Sequence, residues 1–104
     1  FMWRENGRGE VYAYLPSSKV YGTSLGRGTF TFEPGRWHRV QQQVVLNTPG
    51  RDNGAVRVWL DGALVHEGLG LRYRDVDSLK IDGIFFDVFF GGSDPTWAAR
   101  SDTY

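Results

Sequence analysis

The sequence contains no cysteine, which excludes disulfide bonds and thiolate metal sites. Its 12 basic and 12 acidic side chains cancel, so the chain has no overall charge to attract nucleic acid or an anionic membrane. It also lacks an apolar run long enough to span a bilayer. The two histidines, His38 and His66, are not spaced like metal ligands. We therefore expect no nucleic acid, membrane, metal or cofactor, and an anionic ligand needs a local basic cluster.

The apolar residues do not recur with the 3.6-residue period of a helix, and the abundant glycines and aromatic residues favour strands joined by turns. The chain has 14 glycines, and 15% of its residues are aromatic. Glycine is typical of turns, and aromatic residues favour strands. The 104 residues suffice for one domain with one modest core, and no repeat or low-complexity segment divides residues 1–104. The sequence predicts a single all-β domain, a sandwich or jelly roll of about six or seven strands.

The individual strands follow from period-two patterns between turn signals. Asp61 and Gly62 form a dipeptide typical of type I′ hairpins, and the glycine-rich stretch 22–28 is predicted to be a loop. The predicted strands are residues 1–4, 10–15, 29–32, 37–47, 55–60, 63–67 and 79–90. The segment 79–90 is apolar on both faces, which is typical of a central strand.

Tyr12 and Tyr14 lie two residues apart on one predicted strand, so their phenols project from the same face about 7 Å apart. Paired phenols can remove and deliver protons at a sugar ring. An aromatic ladder on a sheet surface is the structural alternative. Arg4 lies on the opposite arm of the same predicted hairpin, where a guanidinium can bind a carboxylate through two hydrogen bonds. A solvated strand arginine is the alternative for Arg4.

The longest predicted strand, residues 37–47, has an apolar and a polar face. The face expected against the core carries Val40, Val44 and Leu46. The polar face carries Arg39, Gln41 and Gln43, which either line a glycan subsite or face solvent. His38 is interpreted as a structural histidine with satisfied hydrogen bonds.

Five segments carry a family resemblance: MWR at residues 2–4, GEVYAY at 9–14, WHR at 37–39, VWLDG at 58–62 and FFGGSD at 89–94. Together they resemble polysaccharide lyase family 14, which includes alginate lyases and is similar in architecture to the glucuronan lyases. The resemblance covers nearly all 104 residues. The Tyr-x-Tyr strand and the Phe-Phe-Gly-Gly-Ser-Asp motif are its most specific parts.

The resemblance implies a concanavalin-like jelly roll whose concave sheet binds an acidic polysaccharide, in a secreted enzyme that cleaves uronate-containing glycans by β-elimination. The family site combines a Lys in a Gly-Gly-Lys-Leu-Pro-Gly segment, a Ser-x-Arg pair and a Tyr-x-Tyr strand. Tyr12 and Tyr14 match that strand and are therefore the expected catalytic residues. The expected substrate-binding residues are Arg4, Arg39, Gln41 and Gln43.

The other two parts of the family site have no match in this sequence. The Lys segment and the Ser-x-Arg pair would precede Phe1, and the family's last strand would follow Tyr104. Asp87 stands where the family more often has a small hydroxyl residue. We therefore expect a β-sandwich truncated at both ends, with little turnover on its own. The alternatives are a carbohydrate-binding module that does not cleave its ligand and a structural jelly-roll domain.

Overall fold

The computed structural model describes residues 1–89, 91–92 and 94–97, which contain two antiparallel sheets of three strands each. The first sheet has the order β1 (Met2–Trp3), β2 (Gly9–Ala13), β3 (Thr23–Leu25), and the second the order β4 (Val40–Val45), β5 (Gly54–Leu60), β6 (Ala63–Leu71). The helical segments of these described ranges are two 3₁₀ turns, Glu5–Gly7 and Pro95–Trp97. The predicted all-β fold is confirmed. In the part of the chain that is described, no helix is long and apolar enough to cross a membrane.

β1 and β2 form the predicted N-terminal hairpin, in which Met2 lies opposite Glu10. The connection needs left-handed backbone, which Asn6 (φ 58°) and Gly7 (φ 72°) supply. Both residue types adopt this conformation at low cost because Gly has no Cβ and the short Asn side chain can bond locally. The hairpin therefore follows from local sequence.

The second predicted hairpin joins β5 to β6 through Asp61 (φ 51°) and Gly62 (φ 90°). Positive φ at both central residues is the requirement of a type I′ turn, whose twist matches that of the flanking strands. β6 continues to Leu71, four residues beyond its predicted end at residue 67. The Asp61-Gly62 dipeptide therefore correctly predicted the hairpin that joins the central strand β5 to β6.

The core lies between the inner faces of the two sheets. Val11 of β2 packs with Phe30 and with Val56 and Val58 of β5, and both of these β5 valines are 0% exposed. Burying a valine side chain fully contributes about 1.5–3 kcal/mol. A Cβ on Gly9 would lie 1.8 Å from an atom of the Phe30 ring, so the missing side chain lets this ring pack directly on β2.

The third strand of the first sheet lies where a loop was predicted. β3 occupies part of the stretch 22–28, whereas residues 29–32, predicted as a strand, form a single bridge between Arg8 and Thr31. β3 pairs along the free edge of β2, with Tyr12 opposite Ser24. Segment 29–32 instead crosses the end of the hairpin, held by Gly9 N–H donating to Phe30 O at 2.9 Å. Pairing with the free edge of β2 therefore made residues 23–25 a strand, although the local glycine content predicted a loop.

The strand predicted for residues 37–47 is shorter, because β4 starts at Val40. Trp37 precedes it and is 98% exposed. Val44 packs against the core as expected, whereas Val40 remains 41% exposed. The predicted inward face of this strand is therefore buried at one end and open at the other.

The strand predicted for residues 79–90 is wrong over its described part, 79–89, where no ladder forms. Ile84, Phe85 and Phe86 are 97%, 88% and 87% exposed. Phe90 lies outside the described residues. The alternation of apolar residues indicates a preference for burial on both faces, but a strand also needs a neighbouring backbone edge, and none of the described strands pairs with this segment.

The exposed segment 81–89 predicts self-association of the isolated 104-residue chain, because contiguous apolar surface of this kind drives association. We expect light scattering and gel filtration to show a concentration-dependent increase in mass. Changing Phe85 and Phe86 together to Ser should reduce it. Trp37→Ser removes an equally exposed aromatic elsewhere and should change it little. A wild-type chain that stays monomeric at high concentration contradicts this prediction.

Candidate functional site

β2 carries the paired tyrosines on its outer face. Val11 packs into the core, so Glu10 and Tyr12 project from the other side of the sheet, and Tyr14 continues that side one residue beyond the strand. The ring centroids of the two tyrosines are 5.6 Å apart, and the ring planes meet at 86°. Tyr14 is 74% exposed and Tyr12 is half-buried, so the pair borders on solvent.

The neighbouring backbone makes room for this pair. A Cβ on Gly22, just before β3, would lie 2.6 Å from Cε1 of Tyr12, so a larger residue there would displace the ring. Beyond Tyr14 the chain turns back: Leu15 N–H donates to Ser18 Oγ at 3.0 Å, and Ser18 Oγ lies 3.1 Å from Thr23 Oγ1. The orientation of the tyrosines is thus set by β2 and by the loop that covers its end.

Arg4 is part of the same face, through an ion pair with Glu10. The Glu10 side chain is 0% exposed, and its Oε1 accepts from Arg4 Nε at 2.8 Å and lies 2.6 Å from Arg4 Nη2. The Arg4 guanidinium carbon is 5.5 Å from the centroid of the Tyr12 ring. A buried carboxylate requires a paired cation, so Glu10 fixes the predicted ligand Arg4 beside Tyr12.

Glu10 and Arg27 are site residues that the sequence predictions missed. Arg27 Nε lies 3.6 Å from Oε2 of Glu10, too long for a hydrogen bond but close enough for an ion pair. The period of two identifies Glu10, because it places this residue on the face of Tyr12 and Tyr14. Arg27 had no such signal, since its position depends on the unpredicted strand β3.

The remaining predicted ligands lie on the other sheet. Gln41 and Gln43 pair with Trp59 and Arg57, and they alternate with the residues of β4 that face the core. They therefore project from the outer face of the second sheet. Arg57 Nη1 donates a hydrogen bond to Gln43 Oε1 at 3.1 Å.

Arg39 lies just before β4, and its backbone N–H donates to Asp61 Oδ1 at 2.8 Å. The predicted site residues thus form two groups on different faces. Tyr12, Tyr14 and Arg4 are together, whereas Arg39 and the two glutamines are apart from them. A binding role for the second group stays a prediction.

His38 is held by hydrogen bonds, as its structural interpretation predicts. Its Nδ1 lies 2.8 Å from Asp61 Oδ2, and its Nε2 lies 3.0 Å from Glu33 N and 3.1 Å from Glu33 O, to which the protonated ring can donate. The Asp61 hydrogen bond, and then the Glu33 backbone, raise the pKa of His38 above its usual 6.5. The Arg39 backbone N–H, and then His38, lower the pKa of Asp61 below its usual 3.8. The pair fastens the β5–β6 turn to the start of β4.

This pair predicts a pH window of stability. A raised folded pKa means that His38 stabilises the fold fully below about pH 6.5 and loses this effect as the pH rises through its folded pKa. The lowered pKa of Asp61 has its full effect above about pH 3.8 and loses it as the pH falls through the folded value. We expect His38 to titrate above 6.5 by NMR and to return towards 6.5 in Asp61→Asn.

Asn tolerates the positive φ at residue 61, so this variant keeps the turn. His66 takes no part in the hydrogen bonds and ion pairs of Asp61, so it is the internal control in the same spectra. A His38 titration at or below 6.5 in the wild type would contradict the prediction.

A groove of about 970 Å³ opens between the inner faces of the sheets, but it is separate from the tyrosine face. Its lining is mostly apolar and includes Phe1, Trp3, Phe32, Val40, Val44 and Ile84. Neither tyrosine contributes to it. It is the open end of the core rather than a polar sugar-binding cleft.

The described residues contain no group of three His, Cys, Asp or Glu that could hold a metal ion. Of the motif at 89–94, Phe90 and Ser93 lie outside the described residues. Asp94 Oδ1 accepts from Thr96 N–H at 2.9 Å, which caps a short turn. The polar groups on the tyrosine face are the two phenols, the guanidiniums of Arg4 and Arg27 and the Glu10 carboxylate.

Known proteins resemble this chain in sequence and in fold. A comparison with curated protein sequences found no match. Among solved structures, the chain is similar to the marine PL-14 alginate lyase from Aplysia kurodai, with 35% sequence identity and a TM-score of 0.81. The match covers 93% of this chain and 44% of that lyase. The sequence profile of the family described as polysaccharide lyase 14 matches residues 1–104, the whole of this sequence. With a matching profile over its full length and a shared fold, this chain belongs to the polysaccharide lyase 14 family.

Proposed function

We propose that this chain carries the tyrosine half of the active site of an extracellular lyase that cleaves uronate-containing glycans by β-elimination. The observation that carries this proposal is the perpendicular pair Tyr12 and Tyr14, 5.6 Å apart on an exposed sheet face beside the guanidinium of Arg4. The family supports a polysaccharide substrate. The similarity to an alginate lyase favours alginate as the uronan, with glucuronan as the second candidate.

The chemistry needs a base, an acid and a cation. A base removes the proton at C5 of the uronate ring, and the charge that develops spreads into the neighbouring carboxylate. The glycosidic oxygen at C4 leaves with a proton from an acid, and a double bond forms between C4 and C5. One tyrosine, deprotonated to its phenolate, takes the C5 proton, and its neighbour, as the neutral phenol, gives its proton to the leaving oxygen, which divides these two transfers between Tyr12 and Tyr14. A cation at the carboxylate stabilises the developing charge.

The charge of the face suits an anionic glycan. Arg4, Glu10 and Arg27 together carry a formal charge of +1. Arg4 is already bonded to Glu10, so it can steer a uronate but is not open to neutralise a carboxylate fully. The family's Lys and Ser-x-Arg pair have no counterpart within these 104 residues, and we propose that the complete site requires them.

The engagement of Arg4 by Glu10 also favours the second candidate function, a carbohydrate-binding module that retains the glycan without cleaving it. Binding needs the positive face and the aromatic rings, whereas elimination needs the additional neutralising cation. The two functions differ in one product, the unsaturated uronate.

The test uses the protein as its gene encodes it, incubated separately with polymannuronate, polyguluronate and polyglucuronate. A rise in ultraviolet absorbance from the unsaturated uronate supports the lyase and identifies the uronan. A neutral glucan is the control and should give none. Retention of a uronan without any rise in absorbance contradicts the lyase proposal and supports the binding module.

A further inference from the structure

We infer that Arg27 is a substrate-binding residue that takes a uronate carboxylate beside Tyr12, and that Glu10 is the buried anion that holds Arg27 and Arg4 together at this site. This inference rests on the proposed function and names a further ligand for it. Arg27 does not belong to any motif that carries the family resemblance.

The first argument is the asymmetry of the contacts to Glu10. Its Oε1 receives both Arg4 contacts, at 2.8 and 2.6 Å. Its Oε2 is buried without a hydrogen bond from any described residue, and Arg27 Nε remains 3.6 Å away. A fully buried carboxylate oxygen without a hydrogen bond is costly. Oε2 of Glu10 therefore attracts the Arg27 guanidinium across 3.6 Å without forming a hydrogen bond to its N–H donors.

The second argument is that the Arg27 guanidinium remains available. Its side chain is 54% exposed, and among the described residues the ion pair with Glu10 is the one polar interaction of its guanidinium. A guanidinium has five N–H donors in a planar fork that matches a carboxylate. With two cations around one anion, the cluster keeps a charge of +1 for a ligand.

The third argument is that a tight turn presents Arg27. Gly28, with φ 75°, follows it, and Thr29 N–H donates to Gly26 O at 3.1 Å across the turn. Gly28 N–H also donates to Gly9 O at 3.1 Å, which ties the turn to β2. These backbone hydrogen bonds thus hold the Cα of Arg27 next to β2, the strand that carries Tyr12. A preorganised ligand loses little freedom on binding.

The test is Arg27→Gln in the protein as its gene encodes it, with the affinity for a mannuronate oligosaccharide measured by titration calorimetry. Loss of a charged hydrogen-bonding group should raise Kd about tenfold. Arg27→Lys keeps the charge without the fork and should give an intermediate Kd. High salt should shrink the difference between wild type and Arg27→Gln, because an exposed charge is screened.

The matched control is Arg72→Gln. Arg72 is 48% exposed and ion-paired with Asp75, away from the tyrosine face. Its replacement should leave Kd and the melting temperature unchanged. Arg27→Gln should lower the melting temperature only slightly, because Arg4 still pairs with Glu10. A Kd that does not change in Arg27→Gln, a change of equal size in Arg72→Gln, or no oligosaccharide binding by the wild type overturns the inference.

Turnover separates this inference from the proposed function. An active wild type whose Kd is insensitive to Arg27→Gln contradicts the role of Arg27 alone. A wild type that binds the oligosaccharide through Arg27 but forms no unsaturated product contradicts the lyase proposal and leaves the binding residue supported.

Discussion

In the protein as its gene encodes it, Tyr12→Phe and Tyr14→Phe should each lower the kcat of uronan cleavage by about 10²–10⁴-fold, the usual contribution of one general acid or base. Each substitution removes one hydroxyl and keeps the ring. Within the described part of the chain, neither hydroxyl makes a hydrogen bond whose loss would disturb the fold. The measurement is the initial rate of ultraviolet absorbance increase at saturating uronan, together with the melting temperature of each variant.

Tyr21→Phe is the matched control, because Tyr21 has the same exposed fraction as Tyr14, 74%, but lies outside the pair. It should keep the rate of the wild type. If both Tyr12→Phe and Tyr14→Phe keep near-parental rates, the pair is an aromatic ladder on the sheet surface, and the catalytic assignment fails.

Asn47→Ala should lower the free energy of unfolding by at least about 3 kcal/mol. Asn47 is 0% exposed and connects three parts of the chain. The two N–H groups of its Nδ2 are shared among the backbone oxygens of Thr48, Arg51 and Arg74, which lie 3.1, 3.0 and 2.9 Å away. Its Oδ1 accepts from Tyr73 N–H at 2.7 Å and Arg74 N–H at 2.9 Å. Alanine leaves several of these buried groups without partners, each at a cost of about 1–3 kcal/mol.

The control for this prediction is Asn53→Ala in the same loop. Asn53 is exposed, and its Oδ1 accepts from Thr48 N–H at 2.8 Å, which water can replace. Its loss should cost about 1 kcal/mol or less. Urea unfolding of both variants measures the difference. Equal losses for the two asparagines would show that the buried network around Asn47 does not stabilise the fold as described.

Local sequence was sufficient to predict those features that depend on the backbone conformation of single residues or on the alternation of side chains along one strand. Asp61 and Gly62 specified the second hairpin because both accept positive φ. The shared face of Tyr12 and Tyr14 followed from the period of a strand. In each case the deciding interaction lies within a few residues.

Tertiary contacts decided the elements that the sequence did not predict. Segment 79–89 has the pattern of a central strand, but pairing requires an edge that the pattern does not encode. Periodicity assigned Gln41 and Gln43 to one face without telling which sheet that face belongs to. Asparagine is a residue type common in loops, and nothing local predicts that Asn47 is buried. Its contacts with the backbone of Tyr73 and Arg74, 26 and 27 positions away, arise only in the folded chain.

The charged part of the site shows the same division. Glu10 was accessible to sequence reasoning, because it shares strand parity with Tyr12, but an acidic residue on a sheet surface is ordinarily solvated. Its complete burial depends on Arg4 across the hairpin and on the position of Arg27 after β3. The electrostatics of this face could therefore be described only once the pairing of all three strands was known.

The central claim, that the tyrosine face serves β-elimination, is tested most directly by mass spectrometry of the oligosaccharides formed from a uronan by the protein as its gene encodes it. Elimination produces a new end that is lighter by one water than the end produced by hydrolysis. We predict that every new non-reducing end carries this unsaturated uronate, and that Tyr12→Phe suppresses its formation. Saturated ends, or an intact uronan after prolonged incubation, would contradict the account.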